Sequence, residues 1–267
     1  MSEEHCRVER DGHVVIVTLN RPEARNALSP EMLVGMHDAW MEIDRDPHVR
    51  CAILTGAGGT FCAGADLKAM AADRQGSGQE AIQRRFAEDP DLHWKALLRH
   101  HRLKKPLIAA VEGYAVAGGT EILQATDIRV AAEDATFGVA EVRRGLFPLG
   151  GSTVRLRRQI PETLAAEILL TGRFITAQEA VEFGLVGRVV PSGKALETAL
   201  EIAHQIAENA PLAVQAVLRS LRETEGLSEI DGLARELEIG QPIFATKDAR
   251  EGPRAFAEKR KANFIGE

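Results

Sequence analysis

At residues 107–141 the chain reads LIAAVEGYAVAGGTEILQATDIRVAAEDATFGVAE. The apolar run Leu107–Val111 is too short to span a membrane and suits a buried strand. Gly118 and Gly119 follow it, immediately before a segment compatible with a helix. A strand that leads into a double glycine at the start of a helix exposes unpaired backbone N–H groups. The stretch therefore predicts a strand, a turn and a helix, with free N–H donors at the turn.

Two glutamates occupy similar places in this stretch. Glu121 lies one turn inside the predicted helix, and Glu141 follows a second apolar run, Ile128–Ala132, and a Phe-Gly pair. An isolated glutamate is usually a solvated surface group. Both of these glutamates have mostly apolar neighbours, however, and burial raises the pKa of a carboxyl toward the range used in acid–base catalysis. They are candidate catalytic residues, with a solvated surface position as the alternative.

The composition bounds the class of protein. The 267 residues, 45% apolar and 27% charged, are typical of a globular protein with one large domain or one domain plus an appendage. Aromatic residues make up only 4% and the formal net charge is −6, which argues against nucleic-acid binding. No apolar run approaches the ~20 residues needed to cross a bilayer, so we expect no membrane partner. Three cysteines without a CxxC pair predict no disulfides and a reducing, cytoplasmic location.

The order of segments predicts an α/β fold. Val14–Leu19 and Cys51–Thr55 are further apolar runs of the kind expected of strands covered on both faces. Helical segments alternate with strands over about two thirds of the chain, and the remainder carries amphipathic helical stripes. This pattern predicts a core at residues 1–193 and a helical region at residues 194–267. The polar segment 71–100 contains several breakers, and we interpret it as a partly helical excursion outside the core.

The glycine-containing turns disfavour a nucleotide site and suggest another use. Gly56-Ala-Gly-Gly-Thr-Phe fits neither GxGxxG nor the P-loop pattern. If the turns around Ala65 and Gly118 converge, their two N–H groups can point at one oxygen atom and form an oxyanion hole. One donor in such a hole is typically worth about 3–4 kcal/mol of transition-state stabilisation. The alternative is that these glycines only permit tight turns.

The sequence gives little indication of a metal site or of a catalytic cysteine. The eight histidines include no HExxH or comparable spacing, so we expect no metal site. Cys62 is a conceivable nucleophile, but its small neighbours favour a packing role.

Taken together, five motifs resemble the signatures of the enoyl-CoA hydratase (crotonase) family. They occur in the family's order and spacing along nearly the whole chain. The motifs are RPEARNAL at Arg21–Leu28, FCAGADLK at Phe61–Lys68, AVEGYAVAGGTE at Ala110–Glu121, FGVAE at Phe137–Glu141 and EGPRAFAEKRK at Glu251–Lys261.

The resemblance implies a crotonase-like α/β spiral of strand–strand–helix turns, with a helical C-terminal region that builds trimers, usually paired into hexamers. It implies an acyl-CoA thioester substrate, with coenzyme A as part of the substrate and no separate cofactor. The N–H groups of Ala65 and Gly118 would hold the thioester oxygen. Glu121 would deprotonate water and Glu141 would protonate the α-carbon, and the presence of both glutamates favours a hydratase.

The resemblance also implies contacts to coenzyme A. In the first half of the chain these are Ala24, Arg25, Ala63, Asp66, Leu67 and Lys68. Phe256 and Lys259, three residues apart on one face of a predicted helix at Lys247–Asn263, match positions that reach the coenzyme A of a neighbouring subunit. Leu149 replaces a glycine whose N–H helps to hold the water, and it can keep that contact if its φ suits.

Two alternatives remain open at this stage. An enoyl-CoA isomerase or an acyl-CoA hydrolase would use the same oxyanion hole. The second alternative is not an enzyme but a catalytically silent oligomeric protein that binds acyl-CoA. A Glu121 side chain turned away toward solvent would favour it. The acyl group, the stereochemistry and the pathway are not determined by the sequence.

Overall fold

A computed structural model describes residues 4–66 and 79–267. Within these residues the chain forms a six-stranded sheet, parallel except for its first strand, and a separate three-stranded sheet. The strands of the large sheet, in spatial order, are β1 (Cys6–Asp11), β2 (Val14–Leu19), β3 (Cys51–Gly56), β4 (Leu107–Val111), β6 (Ile128–Ala132) and β9 (Arg188–Val190). Those of the small sheet are β5 (Tyr114–Val116), β7 (Thr136–Gly138) and β8 (Phe174–Thr176).

Helices cover the sheets and form the C-terminal part of the chain. In the described residues these are α1 (Pro30–Arg45), α2 (Gln79–Glu88), α3 (Leu92–Ala96), α4 (Gly118–Leu123), α5 (Ser152–Gln159), α6 (Glu162–Thr171), α7 (Ala177–Phe183), α8 (Ala195–Ala207), α9 (Pro211–Glu223), α10 (Glu229–Gly240) and α11 (Lys247–Ala257). Short 3-10 helices lie at Pro22–Ala24, Glu141–Arg144 and Gln241–Ala245. The predicted α/β architecture with a helical end is confirmed.

The strands missed by the sequence analysis have weak signals for physical reasons. In β1 only Cys6 is buried, because this strand is the antiparallel edge of the sheet and carries charged side chains. The strands of the small sheet are three residues each, which is too short for an alternation of apolar and polar residues to show. An exposed edge and a three-residue strand therefore escape a search for apolar runs.

Both faces of the large sheet are buried. Alternate side chains such as Val15 and Val17 point to the α1 side, which contributes Trp40 to the core. Ile53 and the other residues of the opposite face pack against α8. The first helix of the predicted region 194–267 is thus part of the core, while the division of the chain at residue 193 stays a prediction.

The interpretation of segment 71–100 as lying outside the core is wrong for its last part. Leu92, Ala96 and Leu98 are fully or almost fully buried. The Trp40 indole N–H donates a hydrogen bond of 2.9 Å to the Ala96 carbonyl, which fixes α3 against α1. The polar composition concealed these few buried residues, and residues 67–78 lie outside the described part of the chain.

Two observations concern residues 4–66 and 79–267 alone. No helix there is both long and apolar enough to cross a bilayer. Nor do three or more His, Cys, Asp or Glu side chains come together there as a group that could hold a metal ion.

Candidate active site

A cavity of about 710 Å³ opens where α4, the 3-10 helix Glu141–Arg144 and the start of α5 meet. Its wall includes many of the residues singled out in the sequence. They are Ala63, Ala65, Asp66, Gly118, Glu121, Glu141 and Leu149. The fold therefore gathers these residues, from three of the five motifs together with Leu149, around one space.

The two proposed oxyanion-hole amides are close neighbours. A Cβ placed on Gly64 would lie 3.2 Å from the Gly118 nitrogen, and one placed on Gly118 would lie 3.8 Å from the Ala65 nitrogen. Among the described residues, neither the Ala65 N–H nor the Gly118 N–H donates a hydrogen bond to another protein group. Two unpaired donors on one cavity wall can share an oxygen atom of a bound molecule.

Local backbone geometry sets the direction of the Ala65 and Gly118 N–H groups. Ala65 pairs with Leu28 in an isolated parallel bridge, in which Leu28 N–H donates to the Gly64 carbonyl at 2.8 Å. In such a bridge the N–H of Ala65 itself points away from Leu28. Ala117, at φ 51° and ψ −124°, lies outside the regions that alanine prefers and sets the direction of the Gly118 amide. Strain of this kind persists only where the surroundings enforce it, and it is concentrated at functional sites.

Glu121 is buried and held by the start of α5. The Ser152 N–H donates to Glu121 Oε1 at 3.2 Å. Burial raises the pKa of Glu121, while donors at Gly150, Gly151 and Ser152 act in the opposite direction. A carboxylate at a helix N-terminus is also stabilised by the helix dipole. Glu121 is therefore a buried acid whose ionised form has dedicated hydrogen-bond donors.

Glu141 has a different environment on the same wall. It begins the 3-10 helix, and its Oε2 is buried without a hydrogen-bond partner in the described residues. Burial, together with the smaller effect of the nearby negative charge of Glu121, raises the pKa of Glu141 to about 7. Glu121 Oε1 accepts a hydrogen bond from the Ser152 N–H, whereas Glu141 Oε2 has no donor in the described residues, so hydrogen bonding favours the ionised form of Glu121 over that of Glu141. The wall thus presents one carboxyl suited to act as a base and one suited to act as an acid.

Bulky side chains form a further part of the cavity wall. The described part of segment 71–100 contributes Phe86, His93, Trp94 and Leu97. Leu149 also lines the cavity and is not among the non-glycine residues with positive φ, so a side chain causes no strain at this position. The pocket is therefore shaped by large side chains from α2 and α3.

Of the coenzyme A residues predicted in the first half of the chain, Ala63 and Asp66 line the cavity, whereas Ala24 and Arg25 do not. Ala24 ends the 3-10 helix Pro22–Ala24, and the Ala63 N–H donates to the Arg25 carbonyl at 3.0 Å. The Arg25 guanidinium lies 5.6 Å from the centre of the Tyr114 ring. Leu67 and Lys68 lie outside the described residues.

The prediction that Phe256 and Lys259 share a helix face is wrong. Helix α11 ends at Ala257, and Lys259 has φ 54°, a left-handed conformation that stops the helix. Phe256 is 86% exposed, and neither residue lines the cavity of its own chain. The helix therefore ends six residues before Asn263, the end that the helical pattern predicts.

Cys62 is a packing residue, as predicted. It is fully buried, and burial raises the pKa of its thiol to about 12. Cys6 and Cys51 are likewise buried free thiols.

The residues that hold Glu121 were not predicted from the sequence. Gly150, Gly151 and Ser152 begin α5, yet only Leu149 of this loop was singled out. The signal was present, because a double glycine before a helix was the same feature that marked Gly118 and Gly119.

Replacing Gly150 by alanine should lower the turnover number by on the order of 100-fold, the effect expected of a misplacement of about 1 Å. A Cβ on Gly150 would lie 2.5 Å from Glu121 Oε2, so the carboxylate must move to reach a normal contact distance. Gly240→Ala is the control, because a Cβ there meets nothing within 4 Å. Steady-state kinetics with thermal unfolding of both variants gives the comparison. Unchanged turnover in Gly150→Ala would argue against a fixed position for Glu121.

Comparisons with known proteins cover nearly the whole chain. The family model for enoyl-CoA hydratase/isomerase matches residues 9–267. The sequence is 58% identical over 257 residues to the enoyl-CoA hydratase EchA19 of Mycobacterium tuberculosis, covering 96% of this chain and 95% of that protein. It is 38% identical over 259 residues to the 2,3-dehydroadipyl-CoA hydratase of Escherichia coli, covering 97% and 98%.

Solved structures show the same similarity. An enoyl-CoA hydratase from Mycobacterium tuberculosis H37Rv superposes with a TM-score of 0.86 at 42% identity, covering 99% of this chain and 100% of the other. An enoyl-CoA hydratase from Bacillus anthracis superposes with a TM-score of 0.89 at 37% identity, covering 98% and 100%. The predicted crotonase-like fold is confirmed by these superpositions.

Proposed function

The chain belongs to the enoyl-CoA hydratase/isomerase family, and from that membership we propose that it is an enoyl-CoA hydratase. It adds water reversibly to a trans-2-enoyl-CoA and forms a 3-hydroxyacyl-CoA. The observation that carries this proposal is the arrangement around one cavity of two unpaired amides and two carboxyls, of which Glu121 accepts a hydrogen bond and Glu141 Oε2 has no donor in the described residues.

The amides stabilise the charge that develops during the reaction. Addition of water to a double bond conjugated to a thioester passes through a state with enolate-like negative charge on the thioester oxygen. The N–H groups of Ala65 and Gly118 hold this oxygen, and their attraction for it grows as the charge develops.

The two glutamates move the protons. Glu121 takes a proton from water as the water oxygen bonds to the β-carbon, and Glu141 gives its proton to the α-carbon. The double bond becomes a single bond. After the reaction Glu121 carries the proton and Glu141 is ionised. Dehydration follows the same steps in reverse.

The alternatives are less well supported. Glu121 is only 5% exposed and is held by the start of α5 on the cavity wall, which does not suit a silent acyl-CoA binder with Glu121 turned to solvent. An isomerase or a hydrolase on the same fold has no evident need for a second buried carboxyl opposite Glu141. Both remain outcomes of the kinetic tests.

The finer features of the proposal follow from the family resemblance. Ala24, Arg25, Ala63, Asp66, Leu67 and Lys68 contact coenzyme A, and the N–H of Leu149 helps to hold the water. Phe256 and Lys259 reach the coenzyme A of a neighbouring subunit in a homotrimer or a hexamer built from two trimers. The apolar residues exposed on α9 and α10, such as Leu221 and Leu237, suit burial between subunits. The enzyme acts in the cytoplasm, in acyl-CoA metabolism such as β-oxidation, without a separate cofactor.

The function is tested by the absorbance of the conjugated enoyl thioester. We expect purified protein to reduce this absorbance with at least one member of a panel of short, long-chain and polycyclic enoyl-CoAs. Identification of the 3-hydroxyacyl-CoA product excludes hydrolysis and isomerisation. No loss of absorbance with any acyl group would contradict the proposal.

The rate of hydration should fall on the alkaline side of about pH 7, where Glu141 loses its proton. Each direction needs one proton on the glutamate pair, so the pH profiles of kcat/KM for hydration and dehydration should have the same bell shape. The measurement is kcat/KM against pH in both directions. A pantetheine thioester without phosphates removes any contribution from titration of the substrate. A profile that stays flat through pH 7 would contradict the assignment of Glu141 as the acid.

A further inference from the structure

Behind Glu121 lies a chain of buried polar groups that the reaction steps above do not use. Ser152 is fully buried and Gln124 is 1% exposed. Gln124 Nε2 donates a hydrogen bond of 2.9 Å to Ser152 Oγ. The Ser152 N–H donates to Glu121 Oε1, and the Ser152 hydroxyl also interacts with this carboxyl.

Burial of the Gln124 side chain is not explained by packing. Gln159 Nε2 and Arg129 Nη2 donate hydrogen bonds to the Gln124 backbone carbonyl, at 2.8 Å and 3.2 Å. These bonds do not involve the Gln124 side chain. Gln124 Oε1 is buried and has no hydrogen-bond partner in the described residues. An unpaired buried amide oxygen is unfavourable, and an apolar side chain at this position would avoid that cost. Within the described contacts, the amide of Gln124 serves Ser152 alone.

The direction of these bonds decides where the hydroxyl proton goes. Ser152 Oγ accepts from Gln124 Nε2, so the amide occupies one of its lone pairs. The proton of the hydroxyl is then free to point at Glu121, where it complements the bond from the Ser152 N–H to Oε1. This arrangement allows the Ser152 hydroxyl to act on the Glu121 carboxylate beside the Ser152 N–H.

We propose that Ser152 and Gln124 are positioning residues: Gln124 orients the Ser152 hydroxyl, which holds the Glu121 carboxylate toward the cavity as the base that accepts a proton from water. The proposal rests on the proposed function for its catalytic meaning. The hydrogen-bond arrangement itself can be tested without turnover.

Other charges also act on Glu121. Glu141 faces it from the 3-10 helix and interacts with it electrostatically. Arg155 on α5 attracts it, and this guanidinium bonds to the carbonyls of Leu98 and Gly150 at 2.6 Å and 3.4 Å. Asp66, His93 and Arg144 lie elsewhere on the cavity wall. All of these groups are kept in the variants below, so differences report on the Ser152 hydroxyl and its partner.

The first test compares pH profiles. The Ser152 hydroxyl lowers the pKa of Glu121, so its removal in Ser152→Ala raises that pKa. We expect the acidic limb of kcat/KM for hydration to move upward by about one pH unit, with little change in the alkaline limb. Gln124→Met, similar in shape but unable to donate, should move the limb in the same direction by less. The matched control is Thr153→Ala, which removes a hydroxyl one residue away that does not line the cavity.

The double variant separates positioning from packing. If Gln124 acts through Ser152, the double variant Ser152→Ala/Gln124→Met should have the profile of Ser152→Ala alone. Shifts that add would overturn the role of Gln124, and an unmoved acidic limb in Ser152→Ala would overturn the role of Ser152.

A measurement without substrate completes the test. NMR titration of isotope-labelled glutamate carboxyl groups, with the Glu121 signal assigned by its loss in Glu121→Gln, should show the same upward movement in Ser152→Ala. Titration curves that coincide with the wild type would overturn the proposal. A wild-type protein that turns over no enoyl-CoA overturns the proposed function, and the titration then still decides the hydrogen-bond arrangement.

Discussion

Glu121→Gln should lower kcat for hydration by about 10²–10⁴-fold with little change in KM, because an amide cannot take a proton from water. Glutamine has the shape of glutamate, so the cavity wall and the bond from the Ser152 N–H to the side-chain oxygen can be retained. The measurement is a full steady-state analysis at the pH optimum of the wild type. Glu133→Gln is the control, since Glu133 is exposed and does not line the cavity.

Glu141→Gln should cause a loss of similar size, because the proton for the α-carbon is then missing. The pair of variants also separates the reactions of this family. Full activity in Glu121→Gln combined with no activity in Glu141→Gln would indicate double-bond isomerisation, in which Glu141 alone moves the proton. Loss in both variants supports hydration.

Ala65→Pro should lower kcat by about 10²–10³-fold, the typical effect of removing one donor from an oxyanion hole. Proline has no N–H, and the N–H of Ala65 takes no part in the bridge to Leu28. The preceding Gly64, at φ 86°, is a residue type that tolerates the restriction imposed by a following proline. Turnover and KM are measured together with thermal unfolding.

The control for this variant is Ala65→Ser, which changes the side chain and keeps the donor. A second route to the same oxygen site is Gly118→Ala, in which the new Cβ lies 3.1 Å from Leu28 Cδ1 and close to the Ala65 amide. An unchanged kcat in folded Ala65→Pro would contradict the assignment of Ala65 to the oxyanion hole.

Most of the fold could be predicted because buried parallel strands leave a strong pattern. Leu107–Val111 and Ile128–Ala132 were placed at the bounds that the structure has, since strands covered on both faces require continuous apolar runs. The edge strand β1 has no such requirement. The helix end at Ala257 was missed because the tail stays compatible with a helix beyond it, while Lys259 adopts a left-handed conformation.

The candidate site was predictable only in part. Glycine turns and glutamates in apolar surroundings pointed to the residues that line the cavity. The partners of Glu121 were not recognised, because Ser152 and Gln124 are ordinary polar residues whose meaning depends on their being brought together from different helices. Contacts between residues 28 positions apart leave no local pattern in a sequence.

The packing of α8 against the large sheet limits where the protein can be truncated or fused. A product that stops at residue 193 would leave Val14, Ile53 and Ile108 open to water, since Ala199 and Ala203 of α8 cover that side. Such a fragment would expose an apolar sheet face and tend to aggregate, although it would still contain Glu121, Glu141 and the oxyanion-hole amides. The apparent boundary at residue 193 is therefore an unsuitable place to insert a fusion partner or tag.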